Sequence, residues 1–297
     1  MRAVRGPRGS GPRARFRGPI RAPAPAVNLQ QIERADDPRV SDYRSVRDDE
    51  RREQRVFVAE SRLPVLRLLA GRRFRTRSVL LTPTALEQMQ ESLEQLSGEV
   101  DVLLAAQPLL NRIVGYNLHR GCAAAAERPR AASCAGLLAE LPPGPQLVVV
   151  LEGVANPENI GSVFRNALAF GASAVVLCGG CSDPLYRKSI RVSMAATLRV
   201  PFAQAPEFAQ VAAALRGAGF RILALCTDAA ATRLPAFASA APARIALVLG
   251  SEAEGVSAEV RAAADLCLRI PMAAEVDSLN VAVASGIALH HFARNLV

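Results

Sequence analysis

Residues 270–294 read IPMAAEVDSLNVAVASGIALHHFAR. A short apolar strand closes on Pro271, a polar loop carries Ser278, Leu279 and Asn280, and a helix apolar on most faces follows. Such a helix is built to be buried in a core or against a second subunit. The polar residues fall where a strand hands over to a helix, which is where open α/β sheets place their ligands. This junction is the first candidate for a functional site.

Working outward, residues 144–297 alternate apolar strands with helices. Residues 146–152 form a continuous apolar run, as expected of a strand buried on both faces. Further strands are predicted at 174–178, 221–226, 245–249 and 266–270, and helices at 159–170, near 184–194 and at 207–216. In the 159–170 helix, Ile160, Val163, Phe164, Ala167 and Leu168 make the buried stripe. This pattern predicts an α/β domain with a parallel sheet flanked by helices. No internal repeat is visible.

Residues 27–122 read as a smaller α/β unit, with strands at 56–59, 78–81 and 100–104 and helices at 63–69, 85–96 and 109–114. The mixed charges of 36–55 read as a solvated helix face. Residues 123–143, rich in Ala, Pro, Arg and Glu and closing on Leu-Pro-Pro-Gly, read as a linker. Residues 1–26 hold seven arginines, no acid and almost nothing to bury, which predicts disorder. Three readings of that tail stand: a flexible RNA-binding arm, a start site called too early, and a mitochondrial transit peptide, which its glycines and prolines argue against.

The tail therefore carries most of the net charge of +9, and the rest of the chain is close to neutral. Half of the residues are apolar, an ordinary globular composition. No apolar run approaches the roughly 20 residues that span a bilayer, so no membrane partner is expected. Six cysteines sit mostly among apolar neighbours and read as buried, reduced thiols in a cytoplasmic setting. Cys178-Gly-Gly-Cys181 is a lone CxxC with no second pair or neighbouring His, and no metal site is predicted from it.

Two other stretches place polar residues at the ends of apolar strands. The first is NPENIGSVFRNALAFG, residues 156–171. Gly161 and Arg165 stack on one helix face, so the missing side chain leaves room for Arg165 and for something beneath it. Arg165 reads either as a structural ion pair or as a phosphate or ribose contact. The second is LVLGSEAEGVS, residues 247–257. Its two glycines allow close backbone approach to a ligand, or simply a tight turn, and Ser257 suits a helix cap. No Walker Lys-Ser/Thr and no GxGxxG follow a strand, which removes the usual nucleotide signatures. Ser278, in the opening stretch, reads as a helix cap or as a site residue.

Taken together, in this order and spacing, the three stretches closely resemble the three motifs of the SpoU/TrmH class of SPOUT RNA ribose 2′-O-methyltransferases. The resemblance covers about residues 146–297. It implies a deep C-terminal trefoil knot, a rare exception among folds, S-adenosylmethionine as cofactor, an RNA substrate and a homodimer built through this domain. Carried over by motif position, it implies catalytic roles for Asn159, Arg165, Glu252, Ser278 and Asn280. The cofactor would lie against knot backbone at Cys226, Thr227, Gly250, Ile270 and Leu279.

Residues 27–122 look similar to the L30e-like substrate-binding domain of many such enzymes, most clearly in VFVAESRLPVLRLL and GYNLHRG. The family's usual glycine after the Glu is Ser61 here, and a further frequent glycine is Ala195. That extra domain favours large-subunit (23S) rRNA as substrate. The alternatives are a tRNA ribose 2′-O-methyltransferase, or a catalytically silent RNA-binding or ribosome-assembly protein of the same fold.

Overall fold

The computed structural model of the chain describes residues 28–44, 52–53, 55–94, 100–237 and 244–293. The arginine-rich tail and residues 45–51 and 54 of the 36–55 segment lie outside them. The described part of that segment includes a short 3-10 helix, Pro38–Tyr43, capped by the Asp37 carboxylate.

Two sheets organise the molecule. The first has five strands in the order β1 (Asn28–Gln31), β4 (Asp101–Leu104), β3 (Thr76–Leu81), β5 (Cys122–Glu127), β2 (Val56–Glu60). β1, β4 and β3 run parallel, and β5 runs antiparallel to both β3 and β2. Helices α1 (Arg62–Ala70), α2 (Pro83–Leu93) and α3 (Gln107–Val114) connect the strands. Residues 123–127, expected in the linker, thus belong to the sheet. The strand is CAAAAE, and its four alanines, all buried, carry helix and linker composition. Tertiary pairing overrides that propensity, as strand preference mostly reports fit to a half-buried surface. The rest of that stretch includes a helix, α4 (Cys134–Ala139), capped by Ser133.

The second sheet has seven strands, all parallel, in the order β10 (Thr232–Arg233), β12 (Leu266–Arg269), β9 (Arg221–Leu225), β11 (Arg244–Leu249), β6 (Gln146–Glu152), β7 (Ala174–Cys178), β8 (Phe202–Gln204). Residues of β6 alternate between two cores: Leu147, Val149 and Leu151 face one, Val148 and Val150 the other. The first core is closed by α5 (Pro157–Ala169) and α9 (Val281–Ala293), through Ile160, Phe164, Leu289 and Phe292. The second is closed by α4, α7 (Phe208–Gly217) and α8 (Ala258–Ala263). Burial on both faces explains the unbroken apolar strands.

The two sheets share a core. Leu185, Ile190, Ala195 and Leu198, from and around α6 (Arg187–Val192), pack into the cluster that holds Phe57, Val79 and Leu81 of the first sheet and Leu68 of α1. Charged groups at this seam are paired. The Asp183 carboxylate, with its side chain 1% exposed, meets Arg128 at 2.8 Å and Arg52 at 3.6 Å. Glu60 is buried and accepts hydrogen bonds from Tyr116 and, at 3.3 Å, from Arg187. Arg73 donates to the Val200 carbonyl at 2.7 Å while its guanidinium lies against Phe74 and Phe202.

The two departures from family glycines have a visible cost. Ser61 (φ 74°) and Ala195 (φ 68°) both hold left-handed backbone, a region that disfavours any residue with a Cβ.

Candidate active site

Because every strand of the second sheet is parallel, all of its carboxyl ends lie along one edge. At that edge the residues following β9, β11 and β12, together with the start of α9, enclose a cavity of about 310 Å³. The size suits a small-molecule site, for which about 300–1,000 Å³ is usual. Cys226, Thr227, Gly250, Ile270 and Leu279 all line it, so the five residues assigned to the cofactor come together. Glu252 and Ser278 line it as well.

Asn159 and Asn280 are joined, with the Asn280 amide donating to Asn159 Oδ1 at 3.1 Å. Asn159 is only 9% exposed, on the first turn of α5, whose N-terminus is capped by Asn156. Asn280 also caps α9, its Oδ1 accepting from the Ala282 amide at 2.9 Å. The capping expected of Ser278 is therefore performed two residues later, and Ser278 is left exposed beside the cavity. Arg165 is exposed on α5 and has no ion pair or hydrogen bond among the described residues. The ion-pair reading of Arg165 does not hold there.

Two glycines serve the chain itself. A Cβ at Gly161 would stand 2.7 Å from the Ser189 carbonyl oxygen, so the absent side chain lets α6 press on α5 and leaves no room for a ligand. A Cβ at Gly250 would overlap the Gly255 carbonyl at 2.0 Å, because the 250–256 turn folds back on itself. The turn is held by the Ser251–Gly255 bridge, with the Gly255 amide donating to the Ser251 carbonyl at 2.9 Å. Ser257 caps α8 as expected, accepting from Val260 N at 3.1 Å. Its own amide donates to Glu152 Oε2 at 2.8 Å, which pins the turn to the end of β6.

Several site residues escaped the sequence reading. Glu254, Asp277 and Arg261 also line the cavity. Arg261 sits one turn into α8, its amide donating to the Ser257 carbonyl at 3.0 Å; the Ser257 cap fixes that register, and a count of four from it would have found the arginine. Asn166 donates to the Ala282 carbonyl at 2.8 Å and to Ser285 Oγ at 2.9 Å, tying α5 to α9. No group of three or more His, Cys, Asp or Glu side chains fit to hold a metal occurs among the described residues. Burial pushes the Cys178 thiol up to about 12, and Cys181 is raised by the same cause, so both remain protonated at neutral pH.

The cavity fits S-adenosylmethionine in kind. Leu225, Leu249, Val256, Ile270 and Met272 give apolar walls for a base, and Glu252, Glu254 and Asp277 offer negative charge to a sulfonium and an ammonium.

The model of the SpoU rRNA Methylase family matches residues 146–290. An uncharacterised tRNA/rRNA methyltransferase of Mycobacterium tuberculosis is 37% identical over 280 residues, covering 91% of this chain and 93% of that protein. A 23S rRNA (guanosine-2′-O-)-methyltransferase, RlmB, of a Burkholderia species is 33% identical over 199 residues, 67% of this chain and 79% of that one. Among solved structures, the AdoMet-bound rRNA methyltransferase of Sinorhizobium meliloti is similar with a TM-score of 0.77 and 25% identity, covering 91% of this chain and 99% of that one.

Proposed function

This chain belongs to the SpoU rRNA methylase family, and from that premise we propose that it methylates a ribose 2′-hydroxyl of large-subunit ribosomal RNA. It is an RNA methyltransferase, and its cofactor is S-adenosylmethionine. The observation that carries the proposal is the convergence at one strand edge of the cavity-lining residues and the Asn159–Asn280 pair.

Bound S-adenosylmethionine supplies an electrophilic methyl group on a sulfonium. A ribose hydroxyl is a poor nucleophile, so the protein's task is to place it in line and to steady the charge that develops on its oxygen. Arg165 takes the electrostatic part: an arginine stays protonated, and this one is free to meet a phosphate or an alkoxide. Asn159 and Asn280, fixed to each other, orient the ribose with Ser278 and Glu252. Placement of this kind supplies a large share of the rate.

The 28–127 unit is the RNA-binding part of the enzyme. A cavity of about 500 Å³, lined by Thr84, Gln88, Gln107, His119 and Arg120, supports that reading. The chain acts as a homodimer: Val283 (52% exposed) and Ile287 (42%) form an apolar stripe on the outer face of α9 that a second copy would cover. The segment between β12 and α9 forms the trefoil knot, a reading supported by β12 lying between β10 and β9 while α9 packs back on α5. The protein acts in the cytoplasm, a reading supported by its six free cysteines.

The test is transfer of labelled methyl from S-adenosylmethionine to separated tRNA and undermodified rRNA, followed by nuclease mapping. Label in rRNA that resists alkaline cleavage at one position is expected. Label in tRNA overturns the substrate, and label on a base overturns the ribose chemistry. Arg165→Ala is expected to lower kcat by about 10²- to 10³-fold while keeping most RNA affinity; an unchanged kcat removes Arg165 from the mechanism.

A further inference from the structure

Four charged side chains from three separate segments line the cofactor cavity: Glu252 and Glu254 from the turn after β11, Arg261 from α8, and Asp277 from the loop before α9. None of the four is ion-paired among the described residues. An arginine beside three carboxylates ordinarily collapses onto one of them unless the backbone keeps them apart. Here the Ser251–Gly255 bridge fixes the turn, and the bond from the Arg261 amide to Ser257 fixes the helix. The cavity is thus presented with three negative charges and one positive charge, held separate.

S-adenosylmethionine has the inverse pattern: two positive groups, sulfonium and ammonium, and one carboxylate. Of the described residues that line the cavity, only Arg261 is a cation that can meet that carboxylate. A guanidinium also suits it, offering a planar donor fork where a lysine offers a point charge. We propose that Arg261 is the carboxylate anchor of the cofactor site, a specificity residue that distinguishes S-adenosylmethionine from adenosyl sulfonium compounds lacking the carboxylate. The inference rests on the cofactor assignment and adds to it the residue that reads the amino-acid tail.

Titration calorimetry of the full-length protein with S-adenosylmethionine and with its decarboxylated analogue tests this. In the Arg261→Gln variant, affinity for S-adenosylmethionine is expected to fall about tenfold or more, while affinity for the decarboxylated analogue stays at the wild-type value. Arg261→Lys should recover part of the loss. A ratio of the two affinities unchanged between wild type and Arg261→Gln overturns the anchor, even if both affinities fall together. Failure of wild type to bind S-adenosylmethionine at all overturns the cofactor assignment, and the anchor with it.

Discussion

Charge is treated in opposite ways at the seam between the sheets and at the cavity on the strand edge. At the seam, Asp183 and Glu60 are buried, and each meets an arginine. At the cavity, Glu252, Glu254, Asp277 and Arg261 have no ionic partner among the described residues, and Arg165 stands free on α5. A buried charge left alone costs several kcal/mol, so the seam must satisfy its own. An exposed charge at a cavity mouth costs little to leave open, so it can be kept for a ligand. The difference separates residues that hold the fold together from residues that wait for something to bind.

The largest break in that contrast is expected at the seam. Asp183→Ala strands Arg128 and should cost about 3–5 kcal/mol of stability, measured by urea unfolding. A loss below about 1 kcal/mol would show that the pair does not hold the seam. Cys178 shows the other way of burying an ionisable group, which is to keep it neutral. Its folded value of about 12 lies above the ordinary thiol value of 9.0. The unfolded chain therefore releases this proton first, and stability is full below pH 9 and declines as pH rises from there towards 12. The slope is about 1.4 kcal/mol per pH unit, and Cys178→Ala should flatten it.

Gly161→Ala tests the contact that joins the two regions, since α5 carries Arg165 and α6 reaches the seam. The 2.7 Å approach to Ser189 O should cost about 1–3 kcal/mol, and kcat should fall with it as α5 shifts; an unaffected melting temperature would mean α6 is loosely held. The smallest effect has the opposite sign. Ala195→Gly and Ser61→Gly each relieve left-handed strain and are expected to add up to about 1 kcal/mol, read as a higher melting temperature with kcat unchanged.

The same contrast explains what was legible in the sequence. The strand-edge residues could be read because polar groups interrupt apolar runs at fixed places, as in 156–166, 250–257 and 277–280. The seam could not, because Arg128 and Asp183, or Glu60 and Arg187, meet only after folding and carry no local signal. β5 was hidden by its alanines, and β1, NLQQ, by polar side chains on an edge strand. The short edge strands β8 and β10 have too few residues to show a period. The glycines could be read only in part: the tight turn expected around Gly250 is there, and Gly250 also lines the cavity, while the something expected beneath Gly161 is the backbone of α6 at Ser189, which no local pattern names.

The packing of α6 also bears on how such a protein can be rebuilt by recombination. One side of this six-residue helix is seated against Gly161 of α5, while Ile190 completes the core of the first sheet. The two halves are therefore not interchangeable cassettes. A transplant that joined the second sheet to a different substrate module would expose Leu185, Ile190 and Leu198 unless α6 were redesigned along with the graft. Diversification of substrate in a chain with this seam is constrained to substitutions on the outer surface of the first sheet's loops, with the junction inherited whole.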